Sequence, residues 1–97
     1  MIHEMEIHMS HVTVKYLMAF SQITGKKSEK VQVEKDTTIG SLLNQLYNRY
    51  GRKLKKLIET DLDNRSVIFV VNGEEKDLST VLNDGDEVLI SYPVGGG

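Results

Sequence analysis

Between Ile39 and Tyr50 the apolar residues change their period, and this change limits the fold more than any other feature. Ile39, Leu42, Leu43, Leu46, Tyr47 and Tyr50 fall on one stripe of a 3.6-residue helix. Asp36, Thr37 and Thr38 offer oxygens to the orphan amides of its first turn. Gly51 stands where a left-handed C-cap is expected, with Arg49 and Arg52 favourable at the negative end of the dipole. One amphipathic helix has one apolar face, which must be buried against something else.

The flanking segments supply that partner. From Val12 to Phe20 (VTVKYLMAF), alternation passes into an apolar run, which predicts a strand with one face buried that becomes central later. TGKKSEK then reads as a turn, with Gly25 free to take a positive φ. Val31 and Val33 alternate with Lys30, Gln32 and Glu34, so the first two strands are expected to form an antiparallel hairpin. Residues 52–65 fit either a second short helix burying Leu54, Leu57 and Ile58 or an irregular crossover, with TDLDNRS as a polar loop. Ser66 to Val71 (SVIFVV) has the composition of a strand buried on both faces. Asn72-Gly73 is a tight-turn dipeptide, Leu78, Val81 and Leu82 anchor a further turn, and Asp84-Gly85 is another. Glu87 to Tyr92 (EVLISY) is the last strand, closed by Pro93, which cannot donate to a ladder. The fold class is α+β: a mixed sheet of 4–5 strands packed on one main helix. The apolar first and last strands are expected side by side and parallel at its middle, so that the C-terminus projects from a central strand.

Composition narrows the function classes. A chain of 97 residues makes one domain, and a net charge of −2 gives no general attraction to nucleic acid or membrane. Without cysteine there is no disulfide framework, thiolate nucleophile or zinc ribbon. No apolar run approaches the roughly 18 residues of a membrane span, and MIHEMEIHMSH lacks the basic and apolar regions of a signal peptide. A cytoplasmic location is expected. No metal site is expected either: His3, His8 and His11 do not share a helical face, and DLDNRS puts Arg65 at a calcium-ligand position. GKKSEK lacks the first glycine of a phosphate loop, and Asp84, Asp86 and Glu87 crowd a turn without a nucleophile. The basic run Arg49, Arg52, Lys53, Lys55 and Lys56 reads as a solvated helix end, or as a docking patch for an acidic partner.

The ending SYPVGGG remains. Val94-Gly95-Gly96-Gly97 buries almost nothing and loses the most backbone entropy if ordered. Either it is a frayed terminus, or glycine is present because something approaches the backbone from all sides. A terminal Gly-Gly can thread a channel too narrow for a Cβ and deliver its carboxylate to the α-phosphate of ATP. The resulting acyl-adenylate is open to a sulfur or amine nucleophile, which displaces AMP.

With this ending the chain resembles the MoaD/ThiS-type sulfur carriers of the ubiquitin-like β-grasp fold, the MoaD branch above all, and the related archaeal ubiquitin-like small modifiers. The resemblance runs from about Val12 to Gly97 and is carried by VKYLMAFSQITG, TTIGSLLNQLYNRYG, VVNGEE and LNDGDEVLISYPVGGG. The family's Pro-Val-x-Gly-Gly ending is matched by Pro93, Val94, Gly95, Gly96 and Gly97. It divides the chain into an extension over residues 1–11, a β-grasp domain over 12–92 and a flexible tail over 93–97. The resemblance implies that Gly97 is adenylated by a ubiquitin-activating-like adenylyltransferase of the MoeB/ThiF type, which uses ATP, and becomes a thiocarboxylate. The chain itself holds no cofactor and no autonomous active site. In the MoaD branch the sulfur goes to molybdopterin, with the tail inserted into the MoaE-type large subunit of molybdopterin synthase. In the archaeal modifiers the same glycine is joined to lysines of target proteins. Gly95 and Gly96 would supply the slim backbone, and Val94 and Pro93 the exit direction. Leu17, Tyr92, Ser91 and Glu75 fall near the family's apolar docking face. Ser91-Tyr92 stands where the family has apolar or proline residues, so this face is expected to be more polar here.

Overall fold

The computed structural model describes residues 9–63 and 67–92. Eight elements follow one another: β1 (Met9–Tyr16), α1 (Ala19–Thr24), β2 (Ser28–Glu34), α2 (Ile39–Tyr50), α3 (Arg52–Asp63), β3 (Ile68–Val71), β4 (Glu74–Lys76) and β5 (Glu87–Ser91). The five strands form one sheet in the order β2-β1-β5-β3-β4. β1 pairs antiparallel with β2 and parallel with β5, as the two apolar runs led one to expect. β5 is therefore central, and the described residues end at Tyr92, one position past it.

α2 begins and ends where its stripe does. Thr38 is the N-cap, its Oγ1 accepting from the Ser41 amide at 3.1 Å. Two further first-turn amides are satisfied from the 77–82 loop: Ile39 N–H donates to the Thr80 carbonyl and Gly40 N–H to that of Leu78, both at 3.0 Å. Of the three apolar residues in that loop only Leu82 is buried, while Leu78 and Val81 are exposed. The loop is held mainly by its backbone, and Leu82 alone anchors it in the core. Gly51 has the expected positive φ of 86°, but its ψ of −165° is not that of a left-handed cap. The chain turns there directly into α3.

Several boundaries differ from expectation. Met9, Ser10 and His11 belong to β1, paired with Glu34, Val33 and Gln32, so the sheet takes three residues from the supposed extension. The strand expected to run to Phe20 stops at Tyr16, and Ala19–Thr24 is helical, closed by Gly25 at φ 76°. Phe20, fully buried, reaches the core from that helix instead of from a strand. Residues 52–63 are helical, with Leu54 and Ile58 buried, so Thr60–Asp63 continue α3 where a loop was expected. Asn72 and Gly73, both at positive φ, make the two-residue turn between β3 and β4, a strand not foreseen.

All three helices pack on the same face of the sheet. Phe20 of α1, Leu42 and Leu46 of α2, and Leu54 and Ile58 of α3 share one core with Val14, Val33, Phe69 and Ile90. That places the other face of the sheet opposite the helices.

Candidate functional site

Strand register assigns the residues of this open face. On β5, Glu87, Leu89 and Ser91 alternate with the buried Val88 and Ile90. Leu89 stands between Lys15 of β1 and Val70 of β3, and Ser91 stands opposite Ile68. Glu75 of β4 pairs with Val70 on its far side and is exposed. Ile68, Val70 and Leu89 are only half-buried, so they form a short apolar ridge on the uncovered side. SVIFVV is thus not buried on both faces, because a single helical layer covers only one. Lys15 and Glu87 border the ridge as an ion pair at 3.1 Å.

Ser91 and Glu75 accordingly lie on the open face. Leu17 follows β1 and is 41% exposed, bordering a shallow concavity with Lys15, Met18, Ser21 and Lys27. Tyr92 does not join them. Its ring stacks on Phe20 with centroids 5.1 Å apart and planes 21° from parallel, on the helical side of the sheet. Strand alternation accounts for this, since Ser91 on one face leaves its successor to the other. Pro93, Val94, Gly95, Gly96 and Gly97 lie outside the described residues, as do His3 and His8. His11 accepts no metal-binding company: among the described residues no group of three or more His, Cys, Asp or Glu side chains converges.

Sequence reasoning missed Ile68, Val70 and Leu89 as surface residues, although one signal was present. Two strands carried apolar residues at both parities in a chain with helices enough for one face.

It also missed a buried carboxylate that holds the helical side in register with this surface. Glu29 of β2 has a side chain only 7% exposed. Its Oε2 accepts from the Tyr16 hydroxyl at 2.6 Å and from the Tyr50 hydroxyl. Its Oε1 accepts from Arg49 Nη1 at 2.9 Å and Lys26 Nζ at 3.3 Å. Burial alone would push the Glu29 carboxyl up, but the hydrogen bonds from Tyr16, Tyr50 and Lys26 outweigh it and hold the group below the usual glutamate range. Burial, and then the bond to Glu29, push the Tyr16 phenol well above its ordinary value. The cluster ties β1 and β2 to the end of α2.

At the far end of β1 and β5, Asp86 organises the turns. Its Oδ1 accepts from Asn72 Nδ2 and its Oδ2 from the Asn83 amide, both at 2.8 Å, while Asn72 Oδ1 accepts from the Glu87 amide at 2.9 Å. The residues near DGDEV therefore serve the turn and do not form an acid–base pair.

Residues 14–97 match the ThiS family. The chain belongs to that family. It is 32% identical over 88 residues to small archaeal modifier protein 3 of Haloferax volcanii, covering 87% of this chain and 96% of that protein. To the molybdopterin synthase sulfur carrier subunit of Mycobacterium tuberculosis it is 38% identical over 69 residues, covering 71% of this chain and 75% of that one. Among solved structures, small archaeal modifier protein 1 of Methanosarcina acetivorans superposes with a TM-score of 0.72 at 26% identity, covering 93% of this chain and 99% of that chain. The ThiS-family chain has the ubiquitin-like β-grasp fold, and its relatives include sulfur carriers and ubiquitin-like modifiers. No described helix is long and apolar enough to cross a membrane.

Proposed function

We propose that this ThiS-family chain is the substrate of an activating enzyme and carries sulfur on its C-terminal glycine. A carboxylate oxygen of Gly97 attacks the α-phosphorus of ATP held by a MoeB/ThiF-type adenylyltransferase, and pyrophosphate leaves. Sulfur at the sulfide level, as hydrosulfide from the sulfur donor, then attacks the acyl carbon; the C–S bond forms, the C–O bond to AMP breaks, and loss of the S–H proton leaves the thiocarboxylate. Gly95 and Gly96 provide a backbone without Cβ atoms for a narrow channel, and Pro93 and Val94 join it to the domain. The ridge of Ile68, Val70 and Leu89, with Leu17 and Ser91 beside it and Glu75 at its margin, docks the enzyme. The observation that carries the assignment is positional. Tyr92, the residue before Pro-Val-Gly-Gly-Gly, directly follows the central strand, whose open side is uncovered by helices and carries Leu89 beside Val70 of β3.

The acceptor favoured by the ending is the molybdopterin precursor, with a MoaE-type large subunit receiving the tail. The match to small archaeal modifier protein 3 over 96% of its length favours a second acceptor, the lysines of target proteins. Both uses begin with the same adenylate.

The chain is incubated with its cognate adenylating enzyme, ATP and a sulfur donor, and its intact mass is measured. Exchange of one oxygen for sulfur adds about 16 Da to the acyl group, and deletion of Gly97 abolishes the gain without altering the fold. No gain with an enzyme shown to be active would refute the carrier assignment. Conjugation is read separately, as higher-mass species that require Gly97 and appear when ATP, enzyme and target proteins are supplied.

A further inference from the structure

The ladder of β5 ends at the Ile68–Ser91 pair, one residue before the last described position. The next residue, Tyr92, is only partly exposed. Its ring lies flat on Phe20, and its carbonyl accepts from Ser91 Oγ at 3.1 Å. Both the side chain and the carbonyl of Tyr92 are therefore engaged.

The platform beneath is firm. Phe20 is fully buried, and α1 is tied at both ends. At its start the amides of Phe20 and Ser21 donate to the carbonyls of Leu17 and Met18 at 3.0 and 3.1 Å, and Ser21 Oγ also donates to Met18 O at 2.8 Å. At its end Gly25 N–H donates to Ser21 O at 2.8 Å. A six-residue helix has little stability of its own. Held in this way, it presents one aromatic face to the residue that precedes the tail.

We infer that the Phe20–Tyr92 stack, together with Ser91 Oγ on the Tyr92 carbonyl, positions the start of the glycine tail for attack on the nucleotide. Phe20 and Tyr92 are positioning residues, since neither touches the reacting atoms, while Ser91 also borders the docking ridge on the open face. The inference rests on the carrier function proposed above. Docking depends on the open face, whereas the stack lies on the opposite side. Loss of the stack therefore affects the chemical step more than binding.

Tyr92→Ala, Tyr92→Leu and Tyr92→Phe are compared with the unaltered chain in ATP–pyrophosphate exchange by the cognate adenylating enzyme, with thermal melts as a check on folding. Removing the ring takes away the aromatic contact that orders the residue before the tail, and an added ordering cost of about 1.4 kcal/mol corresponds to about ten-fold in rate. The expected result is a kcat lowered about ten-fold by Ala and by Leu, with KM within about two-fold, and recovery by Phe, which keeps the ring. Leu keeps apolar cover over Phe20, so it separates loss of the stack from loss of packing. If Ala and Leu variants react at the unaltered rate, or if their defect lies wholly in KM, the inference is overturned while the carrier function stands. If the unaltered chain is itself not activated, the carrier function fails, and the inference falls with it.

Discussion

Replacing Glu29 by alanine tests whether one buried carboxylate holds the helical layer to the sheet. The Glu29 side chain is 7% exposed and accepts from two tyrosine hydroxyls. A hydrogen bond to a charged group contributes about 1.5–3 kcal/mol. The Arg49 and Lys26 side chains are 44% and 50% exposed, so solvent screening reduces their pairs to about 0–1 kcal/mol together. Tyr16 is itself buried and loses its acceptor, whereas Tyr50 is less enclosed and can find water. The expected loss is therefore about 2–4 kcal/mol. For a domain of this size that is a fall in Tm on the order of 10–20 °C. Urea unfolding followed by circular dichroism gives the free energy, and a cycle of Glu29→Ala with Tyr16→Phe isolates the principal bond. A loss below about 1 kcal/mol, or no coupling to Tyr16, would refute the reasoning. The pH dependence follows from the same site. The Glu29 carboxyl is held below its ordinary value in the folded chain. The unfolded state thus binds the proton more tightly, and stability rises with pH across that interval. The contribution is fully present above the ordinary glutamate value of about 4.3 and is lost as pH falls through the lower, folded value. The unaltered chain is expected to lose stability on acidification more steeply than Glu29→Ala.

Other perturbations separate the two faces of the sheet and the turns at its end. Val70→Glu places a carboxylate on the half-buried ridge beside Leu89 and Glu75; it is expected to leave Tm within a few degrees and raise KM for activation about ten-fold or more by kinetic assay. Met18 is 73% exposed at φ 52° and ψ −124°, a conformation that carries strain of about 1–3 kcal/mol for a residue with a Cβ. Met18→Gly relieves it at an entropic cost of about 0.5–1 kcal/mol, so a net gain in urea midpoint is expected. Asp86→Ala removes the acceptor for Asn72 Nδ2 and the Asn83 amide and is expected to cost about 2–3 kcal/mol in the same assay, with Asp86→Asn costing less.

The elements legible in the sequence were those whose signal is local. The α2 stripe and its Thr38 cap, the Asn72-Gly73 turn, and the pairing of β1 with β2 each depend on neighbours in the chain. The parallel contact of β1 with β5 was also legible, because two apolar runs in one small sheet have few other places to go. The ending Pro93–Gly97 lies outside the described residues, and its reading rests on its three glycines and on the match of residues 14–97 to the ThiS family.

What only the tertiary structure decided was where apolar residues are left uncovered and where polar ones are buried. VTVKYLMAF reads as one strand because Ala19 and Phe20 continue its hydrophobicity, but Phe20 meets the core from α1 after a reversal at Met18 that local composition does not signal. SVIFVV reads as doubly buried because its composition is apolar at both parities; its second face stays open because every helix packs on the first. Glu29 looks like an ordinary exposed residue of an alternating strand, and only the meeting of Tyr16, Arg49 and Tyr50 around it makes a charge stable out of water. Sequence records a residue's own preferences, whereas burial is a property of everything that arrives around it.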